Sequence, residues 1–211
     1  MSNFQLSETE HTHLAQVAER LRREFDGQLN TETVQRLLDD SVATLAARAR
    51  HSTWVPLLAE RFARDRLRAV LRMESQDQPN PKPSILFLCV HNAGRSQMAA
   101  GFARSIGGDQ VDVFSGGSEP AGAVNAVAVE AMAEKGIDIR EQIPQPWSDE
   151  IVRAADVVVT MGCADACPVF PGKRYVDWEL EDPAGRGIED VRRIRDDIER
   201  RVTELLGQLG A

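Results

Sequence analysis

No stretch of the 211 residues approaches the roughly 20 consecutive apolar positions that a membrane-spanning helix needs. Basic charge is also short: 25 Lys and Arg face 33 Asp and Glu, for a net charge of -8. General nucleic-acid binding, which requires a basic face, is therefore not expected. A local anion site is still open to the chain, because its field comes from nearby dipoles and cations. The first residues, MSNFQLSETEHTH, lack the apolar core of a secretory signal, so the protein reads as cytoplasmic. Cysteine occurs only three times, as Cys89, Cys163 and Cys167. An odd, small number in such a chain argues against a disulfide framework and for reactive or metal-binding thiols. There is no internal repeat. What is present is a 42% hydrophobic content, enough for a real core.

The first third is patterned for helices. Ser7 and Glu10 form a capping-box pair ahead of Leu14, Val17, Ala18, Leu21 and Phe25 at helical spacing, and Gly27 follows as a stop. Asn30 or Thr31 can cap a second helix carrying Val34, Leu37, Leu38, Val42, Leu45 and Ala46. Ser52 can cap a third, with Pro56 in its first turn and Leu57, Leu58, Phe62, Val70 and Leu71 on its apolar face. Residues 1–74 thus read as a three-helix bundle. Residues 75–83 are polar and proline-rich, as in a semi-rigid linker.

Beyond the linker the period changes. Ile85 to Val90 is a continuous apolar run, as in a strand buried on both faces. Helical patterns (95–106, 124–135, 150–155 and 188–209) then alternate with short strands at 111–115 and 156–161 and a candidate fourth at 174–177. That alternation specifies an α/β domain over 84–211, with a four-stranded parallel sheet flanked by helices.

The stretch Cys89-Val90-His91-Asn92-Ala93-Gly94-Arg95-Ser96 lies where the first strand gives way to a helix. Ligands of open α/β sheets bind beyond the carboxyl ends of strands. Backbone N–H groups in such a loop converge as a nest at a helix N-terminus, which suits a tetrahedral oxyanion. Gly94 is expected to supply the tight turn and Arg95 a planar cation. The same field would stabilise a thiolate at Cys89, so one environment both holds the anion and arms a nucleophile against its central atom. Ser96 can donate to the thiolate, and Asn92 can hold the loop's shape. The plainer alternative is a buried cysteine closing a core strand.

This loop resembles the Cys-x5-Arg-Ser anion loop of the low-molecular-weight protein tyrosine phosphatase fold, which thioredoxin-coupled arsenate reductases also use. The resemblance covers about residues 83 to 209. The two remaining cysteines follow the 156–161 strand, in Met161-Gly-Cys163-Ala-Asp-Ala-Cys167-Pro168. A phosphatase needs one thiol; reducing arsenate needs two electrons, hence two thiols leaving as a disulfide. Carried over by position, the resemblance makes Cys89 the nucleophile and Cys163 the thiol that attacks its arsenic adduct. Cys167 then takes over the disulfide and presents it to thioredoxin. Electrons come from thioredoxin, with no bound cofactor and no metal. The two downstream cysteines stand closer together than is usual in the family. On a helix their Cβ atoms would be about 5 to 6 Å apart. A disulfide wants about 3.5 to 4.5 Å, so this segment must rearrange on oxidation. The alternatives for the pair are a zinc site or two idle thiols.

Expelling oxygen from an adduct requires a proton donor. The acidic run from Asp177 to Asp182 offers several, and the resemblance selects Asp182, whose Asp-Pro matches the family's general acid. Pro183 would hold Asp182 extended; the plainer alternative is a turn. Glu181 and Asp177 are the fallback acids. Two departures favour a reductase: Gly94 stands where the phosphatases commonly have a second cysteine, and Ala184 where they have an aromatic residue. A third concerns cations. Some arsenate reductases bind potassium with a glutamate whose matching position here is Ala100, so no such site is expected. The bundle resembles extensions on some actinobacterial members and could support a homodimer. The other functions left open are a tyrosine phosphatase, a mycothiol- or glutathione-dependent arsenate reductase, and an oxyanion-binding or redox-sensing module without turnover.

Overall fold

The computed structural model describes residues 6–49, 52–74, 82–162 and 169–211. The chain divides into two compact units, Met1–Ser75 and Gln76–Ala211. The expected linker lies outside the described residues except for Lys82 and Pro83.

The first unit holds α1 (Glu8–Glu24), α2 (Thr31–Ala46) and α3 (Val55–Glu74). The α1 capping box is complete: Ser7 Oγ accepts from Glu10 N, and the Glu10 carboxylate accepts from Ser7 N at 2.7 Å. Asn30 caps α2 by accepting from Thr33 N at 2.7 Å. The third helix begins at Val55 rather than directly after Ser52; the Ser52 carbonyl accepts from Val55 N across a turn. Its buried face follows the helical period from Val55. Val55, Ala59, Phe62, Ala63 and Leu67 are buried, while Leu57, expected inside, is 43% exposed. Val17, Leu21, Phe25, Val34, Leu37 and Leu38 complete the bundle core.

The second unit has β1 (Ser84–Cys89), α4 (Arg95–Gly107), a short 3₁₀ turn at 108–110, β2 (Asp112–Gly117), α5 (Ala126–Ala133), α6 (Asp149–Ala154), β3 (Val157–Met161), β4 (Arg174–Asp177) and α7 (Ile188–Leu209). Its four strands are all parallel, in the order β2-β1-β3-β4. All six residues of β1 are buried, which is why it reads as an unbroken apolar run rather than an alternating one. Ile85, Phe87 and Cys89 share one face with Val157, Val159 and Met161, and this face packs on α4, α5 and α7. From α7 it receives Val191, Ile194, Ile198, Val202 and Leu205. Trp178 lies against Phe87 with ring centroids 5.9 Å apart. Leu86, Leu88 and Val158 are buried on the opposite face, and α6 packs against β1.

The strand order reverses at β1. From β1 the chain goes first to β2 on one side and then to β3 on the other. The crevice of a doubly wound sheet opens at the carboxyl ends of the strands flanking such a reversal. Cys89 ends β1 and pairs in register with Met161, which ends β3. Among the described residues, no helix is long and apolar enough to cross a membrane.

Candidate active site

The loop after β1 runs from Cys89 to the start of α4 at Arg95. Its shape is set by where its carbonyls go. The Val90 carbonyl accepts from Glu119 N at 2.8 Å, His91 from Ala121 N at 2.9 Å and Ala93 from Asn125 N at 2.8 Å. The Asn92 carbonyl accepts from Gln97 Nε2 at 2.9 Å, and that of Gly94 from Met98 N in the first turn of α4. All five acceptors are thus engaged by neighbouring segments. In a trans peptide the following N–H points opposite to the carbonyl. Turning every carbonyl outward therefore turns the N–H groups inward, as an oxyanion requires. The Asn92 N–H already does so, donating to Cys89 Sγ at 3.2 Å.

The loop's left-handed residue is Asn92, at φ 46°, not Gly94. Asn tolerates that region because its short amide can bond locally. Gly94 has φ -125° and is required for another reason: a Cβ there would stand 2.6 Å from Pro183 Cγ. The glycine thus lets the Asp182-Pro183 segment close over the loop. Gly117, at the end of β2, is needed similarly, since a Cβ would meet the Val90 carbonyl at 2.6 Å.

Cys89 is 2% exposed. Ser96 Oγ lies 3.0 Å from Cys89 Sγ and accepts from Asn92 Nδ2 at 2.8 Å. With that donor already on its oxygen, the Ser96 hydroxyl is free to turn its own proton to sulfur. Cys89 Sγ thus receives the Asn92 N–H and faces the Ser96 hydroxyl. Arg95 is 7% exposed, and its guanidinium reaches Asp182 Oδ2 through Nη2 at 2.8 Å and the Leu180 carbonyl through Nη1 at 3.3 Å. Asp182 Oδ1 accepts from Ala184 N at 3.0 Å, an Asx turn around Pro183. Asp182 therefore both opens a turn and bonds Arg95: the turn aims the carboxylate at the guanidinium. The other two acids point elsewhere. Asp177 accepts from Thr160 Oγ1 at 2.5 Å, and Glu181 lies 3.9 Å from Arg186.

Cys89, Asn92, Arg95, Ser96 and Asp182 are thus brought together at one crevice, with Val90, His91, Ala93 and Gly94 contributing backbone. His91 is exposed, with Nδ1 3.0 Å from the Glu119 carbonyl. Cys163 and Cys167 lie outside the described residues. The residue before them, Gly162, is described: at φ 75°, its Cβ position would be 3.0 Å from Arg95 Nη1. Sequence reasoning missed Gln97 and Gln145. Gln97 Nε2 also donates to Asn92 Oδ1, and Gln145 N donates to that oxygen at 2.9 Å. Among the described residues, no group of His, Cys, Asp and Glu could hold a metal.

A buried thiol, a converging amide loop, an arginine and an aimed carboxylate at the switch point of a parallel sheet define a cysteine-dependent enzyme that attacks tetrahedral oxyanions. Residues 84–211 match the family described as low molecular weight phosphotyrosine protein phosphatase, and the chain belongs to it. Residues 14–71 match the N-terminal domain described as protein-tyrosine-phosphatase-like. The chain is similar to the thioredoxin-dependent arsenate reductase of Corynebacterium glutamicum, at 39% identity and a TM-score of 0.80, covering 94% of this chain and 97% of that one. An arsenate reductase of Halalkalibacterium halodurans is 44% identical over 57% of this chain and 93% of its own length. Arsenate reductase 2 of Staphylococcus saprophyticus is 40% identical over 58% of this chain and 95% of its own.

Proposed function

We propose that the protein is an arsenate reductase that uses a three-thiol relay and takes its electrons from thioredoxin. The observation that carries this reading is the pairing of two strand ends. Cys89, within its anion loop, lies in register with Met161, and the chain from Met161 to Cys163 is only two residues, at most about 7 Å of extended backbone. Relatives named arsenate reductase, one of them thioredoxin-dependent over nearly the whole chain, support it.

The Cys89 thiolate attacks arsenic while Arg95 and the loop N–H groups hold the remaining oxygens. In the free site, Asp182 occupies the guanidinium that the oxyanion needs. Entry of the anion exchanges that ion pair for an Arg95–oxyanion pair. Asp182, released from Arg95, takes up a proton from solvent and passes it to the departing oxygen, which leaves as water. The Cys163 thiolate attacks Cys89 Sγ: an S–S bond forms, the S–As bond breaks, and its electron pair stays on arsenic, which leaves as arsenite. The Cys167 thiolate attacks Cys163 Sγ and releases the Cys89 thiolate. Two electrons from thioredoxin reduce the Cys163–Cys167 disulfide. No bound cofactor takes part.

Arsenate-dependent NADPH oxidation with thioredoxin and its reductase tests this directly. The wild type turns over, and Cys163→Ser and Cys167→Ser each lose at least about a hundredfold, as expected when an obligatory thiol of an exchange chain is removed. Full turnover in Cys163→Ser would discard the relay. Turnover restored by mycothiol or glutathione in either variant would make a small thiol the reductant. Phosphate-ester hydrolysis indifferent to both substitutions, without arsenate turnover, would make the protein a phosphatase.

A further inference from the structure

The thiol's surroundings depend on the side chain of Asn92, and that side chain has two possible orientations. One puts Nδ2 on Ser96 Oγ, which frees the Ser96 proton for sulfur. The flipped one puts an oxygen there and reverses the order of donors. The choice is made on the far side of the amide. Asn92 Oδ1 accepts from Gln145 N at 2.9 Å and from Gln97 Nε2 at 3.1 Å. Gln97 Nε2 also holds the Asn92 backbone carbonyl at 2.9 Å and reaches the Ile143 carbonyl at 3.4 Å.

Gln97 is 1% exposed, in a helix whose neighbouring positions Met98, Ala99 and Ala100 are entirely buried. A primary amide in such surroundings is unfavourable unless it is hydrogen-bonded. Its two shorter bonds go to the loop's left-handed residue, one to each of that residue's acceptors. Residues held in this region need support from around them. Gln145 adds to it: its carbonyl accepts from Gly117 N at 3.0 Å and its Nε2 donates to the Ser115 carbonyl at 3.2 Å, tying the 143–146 segment to β2.

From this geometry we propose that Gln97 is a positioning residue for the oxyanion site. Its amide fixes the left-handed backbone of Asn92 and the orientation of the Asn92 side chain. Through them it aims the loop N–H groups at the anion and the Ser96 hydroxyl at Cys89. The proposal rests on Cys89 and its loop being the oxyanion site, whichever oxyanion is turned over.

The test is Gln97→Met, which keeps length and apolar volume and removes the donor. Inorganic phosphate is the probe, titrated calorimetrically into the reduced full-length protein, beside a thermal unfolding curve taken without phosphate. The phosphate Kd is expected to rise about tenfold, the scale of one lost bond to a buried polar group. Arsenate kcat/KM is expected to fall at least as far. A side chain that merely fills the core would lower the thermal midpoint and leave the phosphate Kd of the folded protein unchanged; that result overturns the proposal. Should Gln97→Met fold poorly, Gln97→Glu gives the same reading, because its carboxylate opposes both Asn92 acceptors. Wild-type phosphate affinity in that variant overturns the proposal equally. Phosphate binding needs no arsenate turnover, so failure of the reductase reading leaves this result interpretable.

Discussion

Both units of the protein bury polar side chains, but they bury them for different ends. In the bundle, Glu60 is 8% exposed and accepts from Arg20 and Arg64, while Arg66, 5% exposed, bonds Ser41 and Asp40 and stacks on Phe62. These contacts close on themselves: each charge finds an opposite charge on its own or another helix of the bundle. In the α/β unit, Asn92, Ser96 and Gln97 are likewise buried, yet their bonds form a chain that ends on a sulfur. A buried polar group is therefore not in itself a mark of a functional site. What distinguishes the second network is that it terminates on a nucleophile and leaves N–H donors aimed at one point.

Substitutions can break this contrast from either side. The largest effect is expected at Arg95. Arg95→Lys keeps the charge but loses the planar fork that serves Asp182 and an oxyanion together. Phosphate affinity should drop about a hundredfold, with little change in the urea unfolding midpoint. A drop in stability instead would make Arg95 resemble Arg66, a structural cation.

A smaller loss is expected from Gly94→Ala. The added Cβ meets Pro183, whose ring must move and carry Asp182 with it. Turnover should fall about tenfold, more in kcat than in phosphate Kd, because Asp182 is displaced more than the loop. An equal loss in both would mean that the loop itself had deformed.

The smallest effect on chemistry, and a clear one on stability, is expected in the bundle. Hydrogen bonds from Arg20 and Arg64 hold the Glu60 carboxyl below its ordinary range, against the opposing effect of burial. A carboxyl lowered in the folded state adds stability above its unfolded pKa and loses it as pH falls through the lowered value. Glu60→Gln should cost about 1 to 2 kcal/mol at neutral pH, less than a fully buried pair because Arg20 is half exposed. The cost should shrink steadily on acidification, as read from urea melts, with phosphate affinity unchanged throughout. A change in phosphate affinity would couple the bundle to the site and end the contrast.

Legibility differed between the regions in the same way. Helical period and caps are local, so the bundle's helices follow from Ser7, Glu10, Asn30 and the apolar stripes. They failed at Leu57, which lies off the stripe that Val55, Ala59, Phe62 and Ala63 make at helical spacing. The strand–loop–helix of residues 84–96 was equally readable, because an unbroken apolar run followed by Cys-x5-Arg-Ser is a local pattern. The role given to Gly94 was not, because it depends on Pro183, nearly ninety residues away in the chain.

The sequence by itself determined the alternation of strands and helices, the thiol at a strand's carboxyl end, the arginine six residues later and the Asp-Pro far beyond. These are properties of neighbours along the chain, where period, capping and turn chemistry act. Only the tertiary structure decided that Asn92 is the left-handed residue and that Gln97 and Gln145 hold it. Only there do the Val90, His91 and Ala93 carbonyls turn outward onto residues 119–125, and only there does Asp182 meet Arg95. Each of these is a hydrogen bond or close contact between segments that packing must first bring together. A glutamine among buried alanines carries no sign in its own sequence of which acceptor it will find.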